Sequence, residues 1–162
     1  MIIIVEGTDK SGKSTLCKHL AEKFNLKSIH CSKPQTNDPY TEYKEMIEKV
    51  EDNTIFDRSF LGEYVYANVW RGGCKITFDQ FNEIERILIK KGILSIVVYA
   101  EAPINTIADR FISEKEEFAK VEEIKTYQEH FNTIIKNCTL PVIRYNSFYQ
   151  CPQDISEIID LF

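Results

Sequence analysis

A glycine-rich segment between a predicted strand and a predicted helix is the feature that most constrains how this chain folds. Residues 7–14, called here the phosphate loop, read G-T-D-K-S-G-K-S and follow the apolar run Ile2–Val5. Gly7 and Gly12 permit backbone conformations in which successive N–H groups converge on phosphate oxygens. Because the strand holds the loop and the next helix points its N-terminus at the phosphates, this order indicates a site for a nucleoside triphosphate.

The polar positions of the phosphate loop have predicted roles. Lys13 brings a positive charge to the β- and γ-phosphates, and the Ser14 hydroxyl is placed to bind Mg²⁺. We therefore expect the protein to use ATP and Mg²⁺. The loop residues predicted to contact ATP are Gly7, Asp9, Lys10, Ser11, Gly12, Lys13, Ser14 and Thr15.

The composition is that of a globular protein, and it argues against two classes of partner. Apolar residues make up 43% and charged residues 28% of the 162 residues, which suits one domain with a full core. The net charge of −5 argues against a nucleic-acid surface, because such surfaces use Lys and Arg to neutralise phosphates. No apolar run approaches the roughly 18 residues of a membrane span. We expect one cytoplasmic domain over residues 1–162 that binds neither nucleic acid nor membranes.

Neither the cysteines nor the histidines are spaced like metal ligands. The five cysteines are an odd number without a C-x-x-C pair, so neither a disulfide framework nor a zinc site is predicted. His19, His30 and His130 are scattered over different predicted elements, and we expect core or surface roles for them.

Short apolar runs alternate with helical patterns along the chain. The predicted strands are Ile2–Val5, Leu26–Cys31, Thr54–Phe56, Ile93–Ala100 and Leu140–Tyr145. The predicted helices follow the phosphate loop and then span Tyr40–Val50, Phe60–Trp70, Phe78–Lys91, Pro103–Ile112, Phe118–Ile135 and Gln153–Leu161. Strands that alternate with helices form parallel sheets covered on both faces. The predicted fold is therefore α/β, a three-layer P-loop NTPase fold with a five-stranded parallel sheet and helices on both faces.

Several polar residues follow the carboxyl ends of these strands, where parallel sheets bind ligands. We expect Lys13, Lys33, Asp57, Arg58 and Asn146 to lie near one another. The Asp57 carboxylate can reach Mg²⁺ or its waters, and the Arg58 guanidinium can hold a phosphate through two hydrogen bonds. An isolated Asp-Arg pair is usually a surface ion pair, but the position beside the phosphate loop favours a functional role.

The motifs narrow the class of phosphate-binding protein. A GTPase would carry a D-x-x-G switch outside the phosphate loop and an N-K-x-D motif, and the chain has neither. Motor and transporter ATPases usually need a longer chain. A small kinase remains, in which catalysis consists of positioning two substrates and stabilising charge on the transferred group.

Longer motifs resemble the thymidylate kinase family and its deoxynucleoside kinase relatives. Residues 6–15 read E-G-T-D-K-S-G-K-S-T, and residues 57–59 read D-R-S and precede an aromatic helix, F-L-G-E-Y-V-Y-A. Weaker matches are H-C-S-K-P at residues 30–34, which resembles the segment leading into the acceptor site, and W-R-G at residues 70–72, which resembles a stretch in short virus-type members. These motifs fall in the family order over most of the chain, so the resemblance implies a nucleotide kinase.

The resemblance also implies roles for residues on the acceptor side. It implies that Asp9 contacts the acceptor nucleotide or its arginine and that Arg58 holds the acceptor phosphate. Arg71 is then a second candidate phosphate ligand, although a solvated arginine at a helix end explains it equally well. Tyr64, one helical turn beyond Phe60 and close to Arg58 in sequence, is the aromatic residue that we expect to stack on the base.

The lid and the adenine site are assigned from the same resemblance. The lid corresponds to residues 109–119, where Arg110 is the sole arginine and Lys115 a weak helper in a mainly acidic segment. Since an arginine aimed at the transition state is worth about 10³–10⁵ in rate in related chemistry, a single-arginine lid implies slower turnover or help from Arg71. Asn146 is expected to border the adenine, which adds Arg110 and Asn146 to the predicted ATP contacts. The implied catalytic residues are Lys13, Asp9, Arg58 and Arg110.

The residues after the second strand bear on the type of acceptor. The family's nucleoside kinases place a carboxylate there as general base, whereas this chain has Lys33 followed by Pro34. A monophosphate acceptor is already ionised and benefits from a cation. We therefore expect an ATP-dependent nucleoside monophosphate kinase of nucleotide biosynthesis, with dTMP as acceptor and a homodimer as the family's common state. A deoxynucleoside kinase and a catalytically weak nucleotide-binding module remain as alternatives.

Overall fold

A computed structural model describes residues 1–113 and 121–162. Its described residues form five strands and seven helices. The strands are β1 (Ile2–Glu6), β2 (Lys27–His30), β3 (Thr54–Asp57), β4 (Ser95–Glu101) and β5 (Val142–Asn146). The helices are α1 (Lys13–Phe24), α2 (Pro39–Lys49), α3 (Phe60–Trp70), α4 (Phe78–Lys90), α5 (Ile104–Ser113), α6 (Val121–Lys136) and α7 (Pro152–Ile159). None of these described helices combines the length and the apolar composition that crossing a membrane requires.

The strands form one parallel sheet in the order β2-β3-β1-β4-β5. The central strand β1 is buried along its whole length, as expected for a strand covered on both faces. The predicted α/β fold is confirmed. The predicted second strand, Leu26–Cys31, is shorter in the structure, because β2 lies at the sheet edge and pairs only with the four residues of β3.

Two cores cover the two faces of the sheet, because alternate residues of each strand point to opposite sides. One face buries Ile2, Ile4 and Phe56 under residues of α2, α3, α4 and α6. The other face buries Ile3 and Val5 under residues of α1 and α7. The molecule therefore has the three predicted layers.

The described helix α6, which overlaps the predicted helix Phe118–Ile135, buries one face in the core. Ile124, Tyr127, Phe131, Ile134 and Ile135 are all buried. Phe118, the side chain of Val121, Lys115 and most of the predicted lid over residues 109–119 lie outside the described residues.

A buried glutamate joins the central strand to α3. The Glu6 side chain is completely buried, and its Oε1 accepts hydrogen bonds from the Ser59 N–H and hydroxyl at 2.7 Å and from the Gly62 N–H at 2.9 Å. Burial raises the pKa of Glu6 to about 7, against the opposing effect of the Ser59 and Gly62 hydrogen bonds and the Lys13 charge. This contact holds the first turn of α3 against the end of β1, beside the phosphate loop.

Replacing Glu6 by glutamine tests this buried carboxyl. Its pKa rises from 4.5 to about 7 on folding, so in this interval the folded protein keeps a proton that the unfolded chain has released. The wild-type free energy of unfolding therefore falls as the pH rises through the interval. Glu6→Gln keeps an accepting oxygen without titrating. We expect the free energy of unfolding of Glu6→Gln, relative to that of the wild-type protein, to rise with pH by up to about 3 kcal/mol and to level off above pH 7.

The measurement is urea unfolding of both proteins at a series of pH values across this interval. Other titrating groups are common to both proteins and cancel in the difference. Parallel pH profiles for the two proteins would contradict the assignment.

Candidate active site

Two glycines allow the phosphate loop to lie against the carboxyl ends of neighbouring strands. Gly7 has φ 148°, and a Cβ there would stand 2.1 Å from the carbonyl oxygen of Ala100 on β4. Gly12, directly before α1, has φ 93°, and a Cβ there would stand 2.8 Å from the Cβ of Ser147, which follows β5. Both positions therefore require glycine for space as well as for backbone conformation.

Lys13 is folded back over the loop that precedes it. Its side chain is only 5% exposed, its Nζ donates to the Thr8 carbonyl at 2.7 Å, and it lies 3.5 Å from Asp9 Oδ1. Burial lowers the pKa of Lys13, and the charge of Asp9 opposes this shift. The loop thus holds an ammonium group at the start of α1, where the helix dipole also favours an anion.

A cleft of about 710 Å³, called the loop cleft, opens above the phosphate loop. It is lined by Asp9, Lys10, Gly12, Lys13, Ser14, Thr15, His30, Asp57, Arg58, Arg110, Phe111, Tyr145 and Ser147. Most of the residues predicted to contact ATP therefore lie together. Gly7 and Ser11 do not line the cleft, and Ser11 is fully buried beneath it.

Asn146 does not face the loop cleft, in contrast to its predicted place beside the adenine. Its Oδ1 accepts from the Phe148 N–H at 3.0 Å, and its own N–H donates to Gln150 Oε1, so the side chain closes the turn after β5. Tyr145 and Ser147 line the cleft instead. The reason is the alternation of side chains along an extended chain, which sends residues two apart to the same side.

Arg110 joins the phosphate loop to the turn after β5. Its Nη1 donates to the Lys10 carbonyl at 2.7 Å and to the Ser147 hydroxyl at 3.0 Å. The predicted lid arginine therefore lines the loop cleft from α5, although its guanidinium is bound to protein oxygens. Its catalytic role stays a prediction.

A second cavity of about 440 Å³, called the α3 cavity, lies beside the loop cleft. It is lined by Thr8, Asp9, Lys33, Arg58, Tyr66, Trp70, Arg71, Ile107, Phe111, Ile124 and Tyr127. Three of these described lining residues are cations, one is a carboxylate, and most of the others are apolar or aromatic. Asp9, Arg58 and Phe111 line both cavities, so they form the wall between them.

The contact between Asp9 and Arg58 is the polar part of this shared wall. Arg58 Nη2 donates to Asp9 Oδ1 at 2.5 Å, and the guanidinium lies 5.2 Å from the centre of the Tyr66 ring. Arg58 has φ 68°, a left-handed conformation that costs a non-glycine residue free energy. Its own N–H donates to the Val5 carbonyl at 3.0 Å, which holds this backbone in place.

Tyr64 does not line the α3 cavity, in contrast to its predicted stacking role. Its ring packs against Phe78, Phe81 and His130. Residues two apart on a helix point in nearly opposite directions, so Tyr66 lines the cavity instead. The missed signal is the spacing of Tyr66 and Trp70, which lie one turn apart on the face that follows Arg58.

Lys33 and Arg71, both predicted to contact the acceptor, line the α3 cavity, whereas Pro34 lines neither cavity in the described part of the chain. Arg71 Nη2 donates to Glu63 Oε2 at 2.6 Å, and the Glu63 side chain is only 3% exposed. Burial raises the pKa of Glu63, and the Arg71 guanidinium opposes the rise. Arg71 is therefore held by a buried carboxylate rather than freely solvated.

Asp57 and Ser14 supply oxygen atoms to the loop cleft. Asp57 Oδ2 contacts His30 Nδ1 at 3.1 Å, while Oδ1 is buried and has no hydrogen-bond partner among the described residues. A carboxylate and a hydroxyl are ligands that Mg²⁺ accepts, so the donor set fits this ion. His30 also lines the cleft, and its side chain is 62% exposed, which agrees with the expected surface position.

A comparison with known families identifies the family of the chain. The family model described as thymidylate kinase matches residues 5–127, more than half of the 162 residues. The chain belongs to the thymidylate kinase family. The family resemblance expected from residues 6–15 and 57–59 is thereby confirmed, and the protein is a nucleotide kinase by family. No curated protein sequence matches this family member.

Solved structures share the fold of this thymidylate kinase family member at low sequence identity. The YorR protein of Bacillus subtilis, in complex with phosphorylated GDP, is 23% identical, with a TM-score of 0.85 over 99% of this chain and 94% of its own. Thymidylate kinase of Candida albicans is 17% identical, with a TM-score of 0.59 over 99% and 91%. Deoxyadenosine kinase of M. mycoides with bound dCTP is 18% identical, with a TM-score of 0.61 over 99% and 98%.

Substitution of Gly12 tests the fit between the phosphate loop and the turn after β5. In Gly12→Ala the new Cβ displaces Ser147, so we expect nucleotide affinity to fall by about tenfold, which corresponds to about 1.4 kcal/mol. Gly92→Ala is the matched control, because Gly92 also has positive φ but has no atom within 4 Å of the new Cβ. Gly92→Ala should lower the melting temperature without lowering nucleotide affinity.

Calorimetric titration with ADP and thermal unfolding of both variants separate the two effects. Equal loss of ADP affinity in the two variants would contradict the proposed packing of Gly12 on Ser147.

Proposed function

We propose that the protein transfers the γ-phosphate of ATP to a deoxynucleoside monophosphate, with dTMP as the preferred acceptor. The observation that carries the proposal is the shared wall of Asp9 and Arg58 between the loop cleft and the α3 cavity. A donor in one cavity and an acceptor in the other would meet at this arginine. Phosphoryl transfer needs such an arrangement, because its catalysis depends on alignment and on charge stabilisation.

The donor side follows from the loop cleft. Lys13 and the loop N–H groups bind the phosphates of ATP, and Ser14 and Asp57 hold Mg²⁺. When bound, the ion neutralises charge on the β- and γ-phosphates. Arg58 and Lys13 then stabilise the charge that builds on the transferred group from two sides, and no covalent enzyme intermediate forms.

The acceptor side follows from the charges of the α3 cavity. Lys33 and Arg58 add positive charge to the described lining, which suits a phosphate, while the Asp9 carboxylate is bound by Arg58 and lies near Lys13. An oxygen of the acceptor phosphate attacks the γ-phosphorus and ADP leaves, so no side chain has to remove a proton from a sugar hydroxyl. This distinguishes the proposal from a deoxynucleoside kinase.

The base end of the cavity favours a keto base such as thymine. Arg58 precedes α3 and Arg71 follows it, and the 11 residues of the helix span about 16 Å. A phosphate on Arg58 therefore places the base towards Trp70 and Arg71. Guanidinium groups only donate hydrogen bonds, so Arg71 pairs with the carbonyl oxygen of thymine rather than with the amino group of cytosine.

Release of ADP with dTMP and with thymidine as acceptors tests the proposed reaction. We expect turnover with dTMP in the presence of ATP and Mg²⁺, and little with thymidine, because the site has a cation where a nucleoside acceptor needs a base. Lys13→Ala should abolish turnover with both. Turnover with thymidine alone would establish a deoxynucleoside kinase, and ATP binding without transfer to any nucleotide of a panel would establish a binding module.

Substitution of Arg71 tests the proposed recognition of the base. Arg71→Gln introduces an acceptor, so we expect the preference for dTMP over dCMP to fall by about tenfold, within the 1–3 kcal/mol typical of a base-reading pair. Trp70 is the single tryptophan of the chain and lines the α3 cavity, so its fluorescence reports acceptor binding directly.

The matched control is Arg86→Gln, which removes an exposed arginine of α4 that lines neither cavity. It should leave the preference unchanged. An unchanged preference in Arg71→Gln as well would place the base elsewhere in the cavity.

A further inference from the structure

His30 is an exposed side chain at the carboxyl end of the edge strand β2, and it contacts the predicted metal ligand. Its Nδ1 lies 3.1 Å from Asp57 Oδ2, and both residues line the loop cleft with Lys13 and Ser14. A carboxylate only accepts hydrogen bonds, so the contact requires the proton on Nδ1. The pairing of β2 with β3 places His30 directly opposite Asp57 and thereby creates this contact.

Asp57 has other groups to which it could turn. Its charge also acts weakly on Lys13 and Arg58, two cations that line the same cleft. In the structure, however, its hydrogen bond is with His30 through Oδ2, and Oδ1 stays buried without a partner among the described residues. A buried oxygen without a partner carries a desolvation cost, which a bound cation would remove.

We propose that His30 is a positioning residue for the metal site, and that its Nδ1–H holds the Asp57 carboxylate in the orientation that binds Mg²⁺. The inference rests on the proposed function, in which Asp57 binds this ion. Groups that hydrogen-bond to a metal ligand orient it, and their loss typically lowers metal affinity by about 10- to 100-fold. His30 suits this role because its ring N–H donates a hydrogen bond to the carboxylate.

Two substitutions separate the hydrogen bond from the bulk of the side chain. His30→Leu removes the donor, whereas His30→Asn keeps a nitrogen donor near the position of Nδ1. His19→Leu is the matched control, because His19 lies on α1 and contacts Ser156 of α7 outside the loop cleft. Since His30 is largely exposed, its replacement leaves the core intact.

The decisive measurement is calorimetric binding of a non-hydrolysable ATP analogue to each protein, once with Mg²⁺ and once with a chelator. The gain in affinity that Mg²⁺ produces should fall by about tenfold in His30→Leu. It should be largely retained in His30→Asn and unchanged in His19→Leu. Binding of the analogue without Mg²⁺ should be the same in all four proteins.

Kinetics supply a second readout that a general structural defect would not produce. In His30→Leu the Mg²⁺ concentration for half-maximal turnover should rise by about the same factor, while the KM for dTMP stays unchanged. The role of His30 alone is overturned if Mg²⁺ increases the affinity of His30→Leu for the analogue as much as it does for the wild-type protein. It is also overturned if His30→Leu loses the same factor of affinity for the analogue with and without Mg²⁺. Absence of any Mg²⁺ gain in the wild-type protein overturns the proposed metal site, and the role of His30 with it.

Discussion

Parallel pairing of β1 with β3 is the constraint on which the rest of the site depends. Val5 lies opposite Asp57, and the Arg58 N–H donates to the Val5 carbonyl. The carboxyl ends of β1 and β3 therefore lie side by side. Arg58 is thereby kept in a left-handed conformation that it would not adopt by itself. This backbone brings its guanidinium onto Asp9 of the phosphate loop and onto the Tyr66 ring.

The buried side chains of Glu6 and Glu63 fix the position of α3 and of Arg71, which borders the α3 cavity. Glu6 binds the first turn of α3, and Glu63 of the same helix binds Arg71 just beyond its end. Burial of a carboxylate is costly unless hydrogen bonds compensate it, so each contact stabilises one defined position of the helix or the arginine. The α3 cavity therefore has a cation near each end of the helix, Arg58 before it and Arg71 after it.

Local sequence patterns predicted the fold and the phosphate loop, because both depend on spacing along the chain. The strand, the glycines and Lys13 lie within the first 13 residues, and their order alone indicates the site. The direction in which individual side chains point was harder to predict from the sequence. Tyr64 and Tyr66, or Asn146 and Ser147, are neighbours in sequence, and the choice between them depends on which face of the helix or turn packs inward.

The sequence by itself thus determined the α/β class, the parallel sheet, the glycine-rich loop and the Asp57-Arg58 pair at the end of the third strand. These features follow from periodicity and from residue types whose chemistry is local. Only the tertiary structure decided that His30 contacts Asp57, that Glu63 holds Arg71 and that Asp9 and Arg58 separate two cavities. The His30–Asp57 and Asp9–Arg58 contacts join segments that are distant in sequence, so they depend on strand register. The Glu63–Arg71 contact depends on the rotation of α3 and on the turn that follows it.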